Sequence, residues 1–322
     1  MGGPIDAYAQ ENQWLFRSLV DSVNRFAVPV FFMISGALYL NRECAVQKRF
    51  FSGIFLKYFL PTFFAFALYK AIDCSFRLDA DYVRGILWPV QTKSGYHLWF
   101  MPIYIGIILS LPILVKIARD AKVELYFIAL WIVFTVICDT ALRLNSDFSL
   151  ALIQNPLFFT YTGYFFLGHY LHRQDAPAWN WPVPWLLFAA AFSLLGICLT
   201  TYQASLIDKR YTGVFLVPPS PFVLAYAASI FVVFKKMLPG GGEYLSLLAR
   251  HTFGIYLLHL ALVRMIKSFV EEHSGIYNLF FASIVMPGIV YAILFALFSA
   301  VDRAKGVYGK GGVVKSHGGS GC

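Results

Sequence analysis

Apolar residues run along this chain in blocks, each near the length of about 20 residues that a helix needs to cross a hydrocarbon layer. The blocks fall at roughly 22–41, 50–73, 97–117, 124–143, 155–173, 183–202, 219–238, 252–270 and 277–301. Mostly short polar turns separate them, so the pattern predicts one membrane domain without a linker. A barrel would alternate apolar and polar residues over segments of about ten. Runs such as Phe26 to Leu40 and Leu279 to Val301 do not alternate, and helices satisfy their own backbone polar groups, as lipid requires. The predicted fold is an all-α polytopic transmembrane helix bundle with about nine spans.

Lys and Arg orient it, because positively charged loops are retained in the cytoplasm. Arg42, Lys48 and Arg49; Lys116, Arg119 and Lys122; Arg173; Lys235, Lys236 and Arg250; and Arg303, Lys305, Lys310 and Lys315 all fall in loops on one side. The intervening loops mix charges (Arg77, Arg84 and Lys93 with Asp79 and Asp81), lack Lys and Arg (residues 144–154), or carry Glu271 and Glu272. The C-terminus is therefore expected in the cytoplasm and the N-terminus outside. Residues 1–21 form an extracytoplasmic segment with no signal-peptide core, residues 22–301 the membrane domain, and residues 302–322 a flexible Gly-rich cytoplasmic tail. MGGPID is no myristoylation signal, since Asp6 stands where Ser or Thr is required.

Composition agrees. Hydrophobic residues make up 59% of the chain and charged residues only 13%, too few to coat a soluble domain, where about a quarter is usual. The formal charge of +9 is a topology signal; no basic cluster with interleaved aromatics supports nucleic-acid binding. Cys44, Cys74, Cys138, Cys198 and Cys322 show neither CxxC nor metal spacing and read as small apolar fillers or a tail thiol. No metal site is expected. Gly240-Gly241-Gly242 lacks the Lys-Ser/Thr of a phosphate loop and reads as a helix terminator after Pro239.

Four groups of residues can carry chemistry, each with a plainer alternative. In RFAVPVFFMISGALYL, Arg25 enters the membrane from the outer side, Pro29 loosens the helix one turn on, and Ser35-Gly36 permits close helix contact; the alternative is a snorkelling Arg on a kinked helix. In Tyr96-His97-Leu98-Trp99-Phe100, His97 can serve as a general base, or the group is an aromatic belt. Lys48 and Arg49, with Lys57 beyond them, suit a polyanionic ligand, or are topological charge. His259 is an ionisable residue about midway along its span and a functional candidate by default, or a neutral His bonded to a neighbouring helix. Asp139, Arg264 and Lys267 lie near outer helix ends and read as interfacial.

Taken in order, RFAVPVFFMISGALYL, the Lys48-Arg49 loop followed by Pro61, YHLWFMPIYIGIILSLPIL at 96–114, YTGYFFLGHYL at 161–171 and TFGIYLLHLALV at 252–263 resemble the acyltransferase 3 family, multi-span membrane enzymes many of which O-acetylate bacterial surface sugars. The resemblance runs from Arg25 to about Val301. It implies a membrane O-acyltransferase, in the cell (cytoplasmic) membrane, that moves an acyl group from acyl-CoA, typically acetyl-CoA, to a hydroxyl of a saccharide or lipid-linked saccharide. Acyl-CoA is then a co-substrate and no cofactor is tightly bound. Lys48, Arg49 and Lys57 would hold its phosphates, Arg25 and His97 would be catalytic near the outer face, and Ser35, Trp99 and His259 would face substrate.

The chain also departs from the family pattern, whose first helix carries an Arg and, some ten residues on, a His thought to act as base. The first predicted span resembles the family's second, with residues 1–21 as the outer loop before it. A chain lacking that helix is expected to bind acyl-CoA but to transfer slowly or not at all unless His97 supplies the base. Two other classes remain compatible with the residues: a transporter, although no repeated half with Gly/Pro-broken segments appears, and a non-catalytic scaffold, which would bind no acyl-CoA.

Overall fold

The computed structural model describes residues 11–42, 48–74, 82–83, 95–144, 157–173, 176–238, 243–273, 281–304 and 306. Among these every regular element is helical and no strand occurs. Six helical segments are long and apolar enough to cross a membrane: Trp14–Tyr39, Arg49–Asp73, Ala121–Ala141, Val183–Ile207, Thr252–Glu271 and Phe281–Ala304. Tyr96–Leu109 and Leu111–Ala118 meet at a bend of 64°, as in a broken span or a re-entrant loop. The remaining predicted blocks are the shorter helices Leu157–His172 and Pro221–Met237, of 16 and 17 residues. In their described residues all nine apolar blocks are mainly helical, and the chain is a multi-pass membrane protein.

Contacts divide the chain into two compact units. One comprises Met1–Val46 and Ser110–Pro239, the other Gln47–Leu109 and Gly240–Gly321. In the first unit, helix α1 (Glu11–Val23) lies within the segment read as an extramembrane N-terminal stretch. Its apolar residues alternate with Arg17, Ser18, Asp21 and Ser22, so no continuous apolar run announced it. Trp14 is buried while Leu15, Phe16 and Leu19 are exposed. Helix α2 (Ala27–Tyr39) follows after a break at 24–26. Pro29 therefore sits in the first turn of α2, where its missing N–H would have no intrahelical acceptor. It starts a helix rather than loosening one.

The centre of this unit is the helix Leu157–His172, with residues 160–166 buried without interruption and so on every face. Hydrophobicity does not drive helices together inside lipid, so close packing must, and glycines provide it. A Cβ on Gly36 would lie 1.8 Å from the carbonyl oxygen of Phe165, and one on Gly168 would lie 2.1 Å from that of Met33, so α2 and this helix touch backbone to backbone. Gly163 gives the same clearance to the ring of Trp131. Phe32 stacks on Tyr161 with ring centroids 4.5 Å apart. The helix Val183–Ile207, in contrast, exposes Trp185, Phe188, Phe192, Leu195 and Leu199 in steps of three and four, a stripe along one face that suits lipid.

In the second unit, Lys48–Ile54 runs through a π-helical turn at Phe55–Phe59 into Leu60–Asp73, and a second π turn, Phe281–Val285, precedes Met286–Ala304. Each turn stands just before a proline, Pro61 or Pro287, which offers no N–H to the carbonyl four residues back. Ile255 on the helix Thr252–His273 packs with Met286, Val290 and Leu294.

Candidate active site

In the second unit the 3-10 turn Tyr96–Trp99 carries His97 against two helices, Leu60–Asp73 and Thr252–His273. His97 and His259 approach edge to face with ring centroids 4.7 Å apart. Tyr256, one turn before His259, donates its hydroxyl to the His97 carbonyl at 2.6 Å. The Tyr69 ring lies 5.1 Å from that of His97, and Tyr69 itself is fully buried.

Tyr69 also enters the backbone of the His259 helix. Its hydroxyl donates to the Leu257 carbonyl at 3.1 Å and accepts the Ala261 N–H at 3.1 Å, so it bonds the backbone on either side of His259. The Nδ1–H of His259 donates to the Tyr256 carbonyl at 2.7 Å. That leaves Nε2 as the basic nitrogen. Both ring nitrogens of His97 are shielded from solvent and lack a hydrogen-bond partner, a costly state for polar atoms. The imidazole nitrogens of His97 are thus enclosed although the residue as a whole is only half-buried. Arg264, read as interfacial, is near enough to act electrostatically on both Tyr69 and His97.

The first unit has its own polar chain. Asp120 caps the helix Ala121–Trp131 by accepting from the Lys122 and Val123 N–H groups, which sets Glu124 in the first turn, where a carboxylate is favoured by the helix dipole. Glu124 is completely buried and meets His169 Nδ1 at 2.6 Å. His169 Nε2 lies 3.1 Å from Asn41 Oδ1, and Asn41 Nδ2 donates to the Ala37 carbonyl at 2.9 Å. With the amide so oriented, Nε2 carries a hydrogen, and Nδ1 shares one proton with Glu124. Arg173 is 3.7 Å from the other Glu124 oxygen. Sequence reading passed over Glu124 and His169, although ionisable residues inside apolar blocks are the signal to follow.

Arg25 belongs to the first unit, in the turn between α1 and α2, with its Nε buried and unpartnered. It acts electrostatically on Tyr161 and Tyr211. Tyr211 donates to Asp21 at 2.6 Å, and Arg17 lies 4.0 Å over its ring. Ser35 is buried in the same unit, beside the Gly36 contact. Lys48, Arg49, Lys57, His97, Trp99 and His259 belong to the second unit. Arg49 and Lys57 are exposed, and Trp99 is 40% exposed. The side chain of Lys48 lies outside the described residues, as do Cys44, Cys322, the Gly240-Gly241-Gly242 run and most of the tail after Ala304. The structure therefore brings His97 and His259 together, and adds Tyr69 and Tyr256 to them. Among the described residues no cluster of His, Cys, Asp and Glu could hold a metal ion.

A polytopic helical protein with two half-buried histidines in ring contact is a membrane protein with paired ionisable groups among its helices. Its family is narrower than that. Residues 1–301 match the family model of the acyltransferase 3 domain, and the chain belongs to that family. The matched region takes in the stretch before Arg25 as well as the motifs beyond it. Membership makes the chain a membrane acyltransferase in general terms. No curated protein and no solved structure matches it.

Proposed function

We propose that the protein is an O-acyltransferase that moves an acyl group, typically acetyl, from acyl-CoA to a hydroxyl of a cell-surface saccharide. Family membership supports the reaction class. The observation that carries the assignment to this chain's own residues is His97, whose two enclosed, unpartnered ring nitrogens stand beside His259. A neutral imidazole with a free lone pair takes the acceptor's hydroxyl proton as the oxygen attacks the thioester carbonyl. The C–S bond then breaks, and the departing CoA thiolate recovers the proton from the imidazolium. Within the same unit, His259 and Trp99 would face substrate. Lys48, Arg49 and Lys57 would hold the donor's phosphates.

In this reading the bundle crosses the cytoplasmic membrane about nine times, with the N-terminus outside. Reporter fusions after Arg49, Arg119, Arg173, Arg250 and Arg303 then score as cytoplasmic, and fusions near Asp81, Ser146 and Glu272 as external. The reversed pattern would refute the orientation.

The chemical test uses the full chain in nanodiscs with radiolabelled acetyl-CoA and a panel of lipid-linked saccharides. Transfer is expected, with His97→Ala lowering kcat by about 10² to 10⁴. Lys48→Ala/Arg49→Ala raises the donor KM about tenfold or more, at roughly 1.5–3 kcal/mol per hydrogen bond to a charged group. Label transfer unchanged in His97→Ala would remove His97 from the reaction. No transfer at all would leave the scaffold or transporter alternative.

A further inference from the structure

A histidine that works through one ring nitrogen is commonly aimed by a hydrogen bond at the other. His259 follows this pattern, with Nδ1–H on the Tyr256 carbonyl at 2.7 Å. His97 does not, since neither of its ring nitrogens has a hydrogen-bond partner. Its imidazole is held by packing instead: the rings of Tyr69, Tyr256 and His259 meet it edge to face, with centroids 5.1, 5.5 and 4.7 Å away. Such contacts add little beyond burial and allow a range of ring separations. The position of the His97 ring therefore depends on where the main chain of the 3-10 turn Tyr96–Trp99 is fixed.

Tyr256 fixes it. Its hydroxyl donates to the His97 carbonyl at 2.6 Å, while its own carbonyl receives the His259 ring. One residue thus bonds both histidines, His97 through the main chain and His259 through the side chain. Its ring lies against both, 5.5 Å from that of His97 and 6.0 Å from that of His259. Residues three apart on a helix share a face, and Tyr256 and His259 have that spacing on the helix Thr252–His273. Tyr69 steadies the same stretch, because its hydroxyl bonds the backbone at Leu257 and Ala261.

We infer that Tyr256 is a positioning residue: by bonding the His97 main chain and the His259 ring it holds the two imidazoles in contact and leaves both His97 nitrogens open to an acceptor's proton. What the pair does rests on the transferase reading; how the pair is held rests on these contacts alone. Misplacing a reacting group by about 1 Å can cost about 10²-fold in rate, so a hydroxyl that acts only through the main chain can govern turnover.

Tyr256→Phe keeps the ring and the carbonyl and removes the hydroxyl, so it releases His97 and leaves the His259 bond in place. Tyr291→Phe is the control, removing a hydroxyl that donates to the Leu248 carbonyl at 2.8 Å in the same unit. Carbethoxylation of each histidine by diethyl pyrocarbonate, read by mass spectrometry on the full chain in nanodiscs, needs no transferase activity. In Tyr256→Phe the modification of His97 is expected to accelerate several-fold to about tenfold, the effect of one lost hydrogen bond. His259 is expected to react as before, and Tyr291→Phe to change neither. With radiolabelled acetyl-CoA and lipid-linked saccharides, Tyr256→Phe is expected to lower kcat about tenfold or more at an unchanged donor KM, and Tyr291→Phe to leave both unchanged. Unaltered His97 reactivity in Tyr256→Phe overturns the inference, as does unaltered kcat in a chain that transfers label, or an equal change in Tyr291→Phe. A wild-type chain that transfers nothing refutes the transferase reading instead, and His97 reactivity then still decides whether Tyr256 holds the pair.

Discussion

Tyr69 accepts the backbone N–H of Ala261 at 3.1 Å. The same hydroxyl donates to the Leu257 carbonyl, so a side chain from elsewhere in its unit bonds the backbone of the His259 helix twice within one turn. Tyr69→Phe leaves both backbone groups without this partner. Hydrogen exchange at Ala261 is expected to accelerate, with a loss of stability of about 1–3 kcal/mol, the cost of an unsatisfied buried polar group. Unchanged protection at Ala261 would mean that the helix closes its own ladder and that Tyr69 only fills space.

Helix contacts in the first unit set a steric limit. Gly36→Ala and Gly168→Ala each drive a methyl into backbone atoms, which cannot rotate away as a side-chain tip can. Each is expected to cost at least the 1–3 kcal/mol typical of overpacking, seen as reduced yield and lower melting temperature in detergent. Gly288 and Gly53 have nothing within 4 Å of an added Cβ. Gly288→Ala, inside a helix, is expected to be neutral or to gain up to about 1 kcal/mol. A melting temperature that falls equally in all these variants would contradict the close contact.

Glu124 and His169 form a buried pair, and removing one member strands the other. Glu124→Leu is expected to destabilise by about 3–5 kcal/mol. Combining it with His169→Phe should recover part of that loss, because the second change removes the stranded group. Strictly additive losses in the double variant would show that the two do not interact.

Tyr211, between the helices Val183–Ile207 and Pro221–Met237, gives a pH dependence. Burial pushes its phenol well above the ordinary value near 10, and the Asp21 carboxylate, which accepts its hydrogen bond and opposes a second negative charge, pushes it further; Arg17 and Arg25 work against the shift. The native state thus holds this proton more tightly than the unfolded chain does. Its contribution is full below pH 10 and declines as pH rises above that value. Stability should therefore fall above pH 10 with a steeper slope than in Tyr211→Phe, measured by alkaline denaturation in detergent. Parallel slopes would remove Tyr211 as the source.

Long apolar blocks were legible because lipid imposes them residue by residue, and in their described residues they are mainly helical, the one at 97–117 as two helices bent at Ser110. Arg42, Arg119 and Arg173, assigned to one side from the sequence, line one hollow. Individual breaks were less legible. Pro29 was read as a mid-helix lesion because nothing in RFAVPVFF marks the turn at 24–26, whereas Pro61 and Pro287 do sit at irregular turns. Tyr69 is one of 19 tyrosines, and its role depends on a helix far along the chain. Glu124 and His169 were hidden for a related reason: each looked like the polar edge of an apolar block, and only packing turns them inward.

Two helices of one unit answer to different solvents. Along Val183–Ile207, liquid hydrocarbon flows around whatever shape the exposed stripe presents, so affinity for oil is the whole requirement and size is nearly free. Along Leu157–His172, other helices form the surroundings on every side. There tyrosine, threonine and histidine are admissible because each can find a partner, while a single extra methyl is not. The unit therefore carries two alphabets, one written in polarity and the other in volume, and mutational drift along its length should follow whichever applies at each position.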